Sequence, residues 1–308
     1  MSGWGDTTAV VEKAPKKIQN IKPNDPIPYK FDKSKVKKLD RIESSLLPNG
    51  YIRGTFYGYI GVPGSGKTRL AIQEVLLSAL KGSENLYLYN ESSRSHFDNV
   101  ILNIANSMHV EVSSNITFTD MSNFIQKTAG YNDIESFYSR IWCQQTKHWL
   151  ETVKNPGFVV TDSFSAIGRL FIPQMWVSHS AYISGLTDIC INYAKPPVFL
   201  MINQKSGSTY ERNNDQTVGG LGIVHQLDAM YIFKVMDVDR WDTKRYGLKE
   251  GSKAYFLQCS KDRFATSEYF ERRVILKDGK MVLADEISEL VEKQDESQKS
   301  SDGNVNWG

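Results

Sequence analysis

TFYGYIGVPGSGKTRLAIQEVLLSAL, residues 55–80, passes from a β-rich run through a glycine-bearing turn into an apolar helical pattern. The turn satisfies GxxxxGK[ST] at every fixed position, with Gly61, Gly66, Lys67 and Thr68, and Gly64 adds a further flexible link. Strand before and helix after are the context this motif needs. The glycines let backbone N–H groups turn inward around phosphates, and the helix adds its positive amino-terminal end. The expected nucleotide cradle is Gly61, Val62, Pro63, Gly64, Ser65, Gly66, Lys67, Thr68 and Arg69. Lys67 is expected against the β- and γ-phosphates of ATP, and the Thr68 hydroxyl on Mg²⁺. The helix should set Leu70, Ala71, Val75, Leu76 and Leu80 on one stripe.

Outward from the loop, short apolar runs end in polar residues: NLYLYNE (85–91), GFVVTD (157–162) and PVFLMINQ (197–204). Helical patterns follow the first, through VILNIANSM, and separate the other two, around SAYISGLTDICINYA. Strands alternating with helices predict an open, mostly parallel α/β sheet whose functional groups gather at the carboxyl ends of the strands. AMYIFKV, AYFLQCS and RRVILKDGKMVLA then follow without a helix of comparable length, so the sheet is expected to finish with antiparallel strands. There are no internal repeats.

The 308 residues, 40% hydrophobic with a net charge of +2, suffice for one substantial core. Residues 1–41 carry ten basic and five acidic side chains, and residues 284–308 carry two and seven. Four of the ten prolines lie within the first 28 residues. The expected organisation is one main domain between a basic, proline-rich arm over 1–38 and an acidic tail over 284–308 with a short amphipathic helix at Ile287, Leu290 and Val291. The arm can attract phosphates or merely solubilise. No run approaches about 18 apolar residues, so a soluble, cytoplasmic protein without membrane contact is expected. Cys143, Cys190 and Cys259 are scattered and read as reduced thiols, without the spacing of a structural metal site.

A phosphate loop needs a carboxylate on a neighbouring strand for Mg²⁺, and Asp162 is the candidate; its alternative is to cap the helix that follows. Water attack needs a base, for which Glu91 closes a strand, its alternative being an ordinary surface carboxylate.

Together these pieces resemble the core ATPase domain of the RecA/RadA/KaiC superfamily. LDRIESSLLPNGYIRGTFYGYIGVPGSGKT is similar to the segment leading into that family's phosphate loop. NLYLYNES resembles its strand ending in the catalytic glutamate, and GFVVTDSFSAIGR its magnesium-binding strand with a later arginine, here Arg169. VFLMINQ resembles the strand whose glutamine senses the γ-phosphate, which makes Gln204 the sensor. GGLGIVH (219–225) is similar to the Gly-Gly and His that follow in archaeal recombinases, and CSKDRFA to the Lys-x-Arg element of KaiC- and DnaB-like members. The resemblance spans roughly residues 39–283. It implies a RecA-like fold, Mg²⁺-dependent ATP hydrolysis with Glu91 as base, and self-association into a ring or filament. Lys261 and Arg263 would then stabilise charge on a neighbouring copy's γ-phosphate.

Bland alternatives stand beside these roles: a strand cap for Gln204, a core histidine for His225, a turn for Gly219-Gly220 and a solvated face for Lys261 and Arg263. In the resembled recombinases the stretch after the sensor glutamine contacts single-stranded DNA. Here it reads KSGSTYERNNDQTV, where Lys205 and Arg212 are candidates for phosphates and Tyr210 for base stacking; Glu211 and Asp215 favour a plain surface loop. The arm is too short and proline-rich for the helical DNA-binding domain of archaeal recombinases and lacks a clear Phe-x-x-Ala hook. The chain thus resembles a core-only RadA-like paralogue, of the kind found in cells and in mobile elements or viruses. The expected function is a RecA-type ATPase acting on DNA in recombination or repair. The rivals are a KaiC-like regulatory ATPase, a helicase or packaging motor, and an inactive nucleotide-gated binding module, against which Glu91 argues.

Overall fold

The structure is a computed structural model, which describes residues 39–47, 49–90, 92–121, 134–165, 175–204, 225–241, 243, 247–264, 271–277 and 279–284. A small antiparallel pair, β1 (Arg41–Ile42) and β2 (Tyr51–Ile52), precedes the main sheet. The sheet has nine strands among the described residues. They are β3 (Phe56–Gly61), β4 (Glu84–Tyr89), β5 (Ile116–Asp120), β6 (Pro156–Asp162), β7 (Val198–Gln204), β8 (Ala229–Asp237), β9 (Lys253–Asp262), β10 (Glu271–Lys277) and β11 (Lys280–Leu283). Their spatial order is β11-β10-β9-β8-β3-β7-β6-β4-β5.

From β8 to β5 every pairing is parallel, and from β8 to β11 every pairing is antiparallel. The antiparallel end matches the expectation with one correction. AMYIFKV, grouped in sequence with the antiparallel strands, forms β8, which lies parallel to β3 with Gly61 level with Phe233. Reversal begins at β9, where a direct connection from β8 requires it. The sequence reading also passed over β5, whose ITFTD buries only Ile116 fully and sits at the sheet edge.

Alternation along each strand supplies two cores. Tyr57 and Tyr59 of β3, Tyr87 and Tyr89 of β4 and Val160 of β6 share one core with α1 (Lys67–Leu80) and α2 (Arg94–Ser107). Phe56, Ile60, Leu86, Leu88 and Val159 share the other with α3 (Ile134–Thr152) and α4 (Met175–Asn192), through Trp142, Trp149, Tyr182 and Leu186. Tyrosines so deeply placed need partners for their hydroxyls. Tyr51 and Tyr59 bond each other, Tyr57 accepts from the Ile52 N–H at 2.8 Å, and Tyr87 donates to Asp162 Oδ2 at 2.8 Å.

The single stripe expected on α1 is corrected in two ways. Leu80 is 55% exposed, because the helix ends beside it in a turn where Gly82 at φ 81° lets Ser83 N–H return to Ser78 O. Gln73 and Glu74, the polar face in the pattern, are buried. They are covered from outside by residues distant in sequence. Gln73 pairs with the Met281 backbone in both directions (2.8 and 3.0 Å) and donates to Ser45 Oγ at 2.7 Å. Glu74, 1% exposed, accepts from the hydroxyls of Ser44 (2.9 Å) and Ser45 (2.6 Å) and from the Ser45 N–H (3.1 Å). Arg69 donates to Ser107 Oγ (3.2 Å) and Gly279 O (2.9 Å), so the whole outer side of α1 is tied down.

Burial pushes the Glu74 carboxyl up from 4.5 to about 7, outweighing the three donors that favour its anion. The folded carboxyl keeps its proton where the unfolded one has lost it, so this contribution to stability is complete below 4.5 and is lost as pH rises through about 7. The shift corresponds to on the order of 3 kcal/mol. Denaturant titrations from about pH 5 to pH 8 are expected to show falling stability, and Glu74→Gln to flatten that dependence.

Candidate functional site

β3 enters the sheet between β7 and β8 and stops at Gly61, from which residues 62–66 lead into α1. A Cβ on Gly61 would lie 2.6 Å from Phe233 O and 2.8 Å from Ser65 Oγ, so the turn closes only around a bare backbone. Gly64 and Gly66 have φ of 74° and 95°, conformations open to glycine at no steric cost. Gly66 is the helix N-cap; no side chain caps the first turn and no acid lies in it. No carboxylate of the first turn therefore offsets the positive end of α1. Lys67 is 7% exposed, and its ammonium donates to Gly61 O (2.9 Å), Val62 O (2.8 Å) and Ser65 Oγ (3.3 Å). Val62 is half-buried, Pro63 is exposed and Thr68 is half-buried. Arg69, expected in the cradle, has its guanidinium on Ser107 and Gly279.

Parallel register sets the other candidates along the same edge. Gln204 ends β7 level with Gly61, and Asp162 ends β6 level with Ile202 and Tyr89. With β7 between them, β6 and β3 lie about 10 Å apart. Asp162 is 6% exposed and its carboxylate holds the Tyr87 hydroxyl. Burial first, then the Asp162 charge, raises the Tyr87 pKa well above its ordinary value, so the phenol stays a donor. The Asp162–Ser163 peptide is cis.

The strand ends are stitched together by Ser163 and Asn203, which sit in the sequence motifs, and by Asn90 and Ser165, which sequence reasoning missed. Asn90 N–H donates to Asp162 O (3.0 Å) and Asn90 Oδ1 accepts from Ser163 N–H (3.0 Å). Ser165 Oγ accepts from Gln204 N–H (3.3 Å) and meets Ser163 Oγ at 3.0 Å. Asn203 Oδ1 also accepts from Gln204 N–H at 3.0 Å. The only signal available was that each polar residue lies at or just beyond the end of an apolar run. Asn90 Nδ2 is buried with no hydrogen-bond partner among the described residues, a donor suited to an oxygen acceptor.

Lys261 and Arg263 are not part of this cluster. β9 is antiparallel to β8, so Lys261 lies level with Met230 and Asp262 with Ala229, at the end of β8 opposite the phosphate loop. Lys261, level with Gly58, lies three residues of strand, about 10 Å, from the level of Gly61, and Asp262, level with Tyr57, lies four residues, about 13 Å, from it. There Lys261 donates to Leu227 O (2.6 Å) and His225 O (3.3 Å), while Arg263 pairs with Asp228 (3.4 Å) and donates to His225 O. Burial, then the Arg263 charge, lowers the Lys261 pKa. His225 itself is exposed. Both cations are thus engaged at that end of the strands, away from the phosphate loop of their own copy. Glu91, Arg169, the 205–224 segment with Lys205, Tyr210, Arg212 and Gly219-Gly220, the 1–38 arm and the 285–308 tail lie outside the described residues.

Buried Lys67 beside an uncapped helix start, with the Asp162 carboxylate and the Asn90 donor on the same edge, fits a polyphosphate and a divalent cation. Among solved structures, a KaiC-like protein from the hyperthermophilic archaeon Pyrococcus horikoshii OT3 superposes with a TM-score of 0.58 over 80% of this chain and 99% of that one. The fold is KaiC-like. Sequence identity over that match is 12%, so the likeness is one of fold. No protein-family model matches the sequence, and no curated protein does either. Among the described residues no helix is long and apolar enough to cross a membrane.

Gly61→Ala is expected to destabilise the fold by about 1–3 kcal/mol, the range for an inserted methyl in a filled site, as read from the urea midpoint.

Proposed function

We propose that the chain is a Mg²⁺-dependent ATPase of RecA type that self-associates and works on DNA. The observation that carries the nucleotide part is the Lys67 ammonium, buried at the uncapped start of α1 and satisfied by carbonyl oxygens of its own loop. Those carbonyls are weaker partners for a cation than phosphate oxygens, so Lys67 exchanges them when a triphosphate enters. Mg²⁺, if bound there, would supply neutralisation of phosphate charge. The Thr68 hydroxyl and the Asp162 carboxylate are the groups that would hold the cation, and Tyr87 fixes the Asp162 side chain by its hydrogen bond. Glu91, next after Asn90, takes a proton from the attacking water. Gln204 senses the γ-phosphate at the level of Gly61 and passes its state to the 205–218 segment, where Lys205, Tyr210 and Arg212 meet single-stranded DNA.

Arg263 and Lys261 act on the phosphate of an adjacent copy, in a ring or filament. Their position at the opposite sheet edge supports this role, since a repeating assembly can present one edge of a copy to the other edge of the next. Recombination or repair is the work proposed. A second reading, a KaiC-like regulatory ATPase with no DNA role, is favoured by the KaiC-like structural neighbour.

ATP turnover measured against protein concentration, with and without single-stranded DNA, separates the two. The first reading expects a rate that rises with assembly and again with DNA. No DNA stimulation together with no DNA binding at low salt would move the assignment to the regulatory ATPase. Lys67→Ala and Glu91→Gln are each expected to lower turnover by on the order of a hundredfold or more. Arg263→Ala is expected to lose on the order of a thousandfold. Mixing it with Lys67→Ala protein should restore part of that loss, because an intact Arg263 then faces an intact loop. Absence of any rescue would remove the trans-acting role.

A further inference from the structure

β4 closes at Tyr89, level with Asp162, and the next residue, Asn90, grips the Asp162–Ser163 peptide at both of its polar atoms. The Asn90 N–H donates to Asp162 O and its Oδ1 accepts from Ser163 N–H, each at 3.0 Å. A backbone N–H can only donate, so the carboxamide atom facing Ser163 is the oxygen and the other end is Nδ2. Nδ2 is closed off from solvent and has no hydrogen-bond partner among the described residues.

The grip on β6 does not need that nitrogen. An aspartate of the same shape would accept from Ser163 equally well and would carry no unpaired donor. Buried donors left without an acceptor are rare in native proteins, and a catalytic role is one of the reasons they are kept. Position decides which oxygen this donor serves. In the sheet β3, β7, β6 and β4 are successive neighbours. Asn90 thus lies three strand spacings, about 14 Å, from the strand that carries the phosphate loop. Under the ATPase proposal the triphosphate extends from Lys67 at the end of β3 toward Asp162 at the end of β6, and Asn90 lies beyond Asp162. An oxygen that attacks the terminal phosphorus enters in line, from the side away from the leaving diphosphate, which is the Asn90 side.

We propose that Asn90 is a further catalytic residue, whose Nδ2 holds the attacking water by donating to one of its lone pairs. It rests on the ATPase reading of the site. The water's other lone pair forms the bond to phosphorus as the bond to the diphosphate oxygen breaks. Its proton passes to the base of that reading, and Nδ2 keeps its own hydrogens throughout. A donor suits this task because it competes for neither proton of the water. The same side chain is tied to the sensor strand. Ser163 Oγ meets Ser165 Oγ at 3.0 Å and Ser165 Oγ accepts from Gln204 N–H at 3.3 Å, so the ends of β4, β6 and β7 are joined in one hydrogen-bonded row.

The test uses the full chain and Asn90→Asp, which keeps the oxygen that Ser163 needs and removes the donor. Turnover at saturating ATP is expected to fall by on the order of a hundredfold, the cost of losing one placed donor. Affinity for a fluorescent non-hydrolysable ATP analogue and the melting temperature should stay at their wild-type values. A second readout is independent of turnover. Aluminium fluoride added with Mg²⁺ and fluorescent ADP imitates the phosphoryl group with water in line, and should tighten ADP binding in the wild type but not in Asn90→Asp. Asn90→Ala, which adds no charge, should lose the same turnover, with a lower melting temperature because the grip on β6 goes as well. Wild-type turnover in either variant overturns the inference. So does a loss of melting temperature or of ATP-analogue affinity in Asn90→Asp that accounts for its lost turnover, since that assigns Asn90 to the fold or to a resting phosphate contact. Lys67→Ala tests the ATPase reading by itself: analogue binding unchanged in that variant, or absent in the wild type, removes the reading and the inference together.

Discussion

A lysine ammonium buried at the start of a helix must be surrounded by oxygen. Lys67 meets that requirement with two carbonyls and a hydroxyl of its own loop, and the loop can offer them only because β3 stops there. Gly61 has no room for a side chain beside Phe233 and Ser65, and Gly64 and Gly66 take backbone angles that other residues rarely adopt. Strand, turn and helix are thus parts of one solution to one electrostatic problem. The same solution leaves cationic and dipolar charge where an anionic ligand can replace the carbonyls.

That arrangement has to be held against the pull of a flexible turn, and the holding comes from far along the chain. Arg69, Gln73 and Glu74 of α1 are bound respectively to the β10–β11 turn and Ser107, to Met281 and Ser45, and to Ser44 and Ser45. Gly279 is part of this fit, since a Cβ there would lie 2.0 Å from that of Ser107. The C-terminal hairpin therefore does more than extend the sheet. It closes over the helix that carries the phosphate loop, while the Ser44–Ser45 segment links the stability of that helix to the protonation of the buried Glu74 carboxyl.

Parallel and antiparallel pairing divide the charged residues between two edges. Everything at the end of β3, β4, β6 and β7 falls on one edge, and the cations at the end of β9 fall on the other. The trans-acting proposal for Lys261 and Arg263 gains its physical content here, from their engagement at the edge away from the phosphate loop of their own copy. Their present partners, the carbonyls of His225 and Leu227 and the Asp228 carboxylate, follow directly on the 205–224 segment, and Asp228 also caps the β3 start through Phe56 N–H at 2.9 Å.

Much of this was legible in the residues. The phosphate loop is a local motif, because a tight turn of fixed length needs particular glycines at particular places, and α1 begins and ends where the pattern of 67–80 puts it. Apolar runs closing in polar residues marked β4, β6 and β7 within one residue or two, since a strand buried on both faces has few ways to be written. Other features depend on contacts between segments from about 30 to about 210 residues apart. The parallel placement of β8, the burial of Gln73 and Glu74, the anchoring of the Arg69 guanidinium on Ser107 and Gly279, and the stitching by Asn90, Ser163 and Ser165 leave no periodic trace. A polar side chain at a strand end or on a helix face is written the same way whether water or another segment covers it. Only the folded chain decides which, because the cover arrives from strands paired at long range.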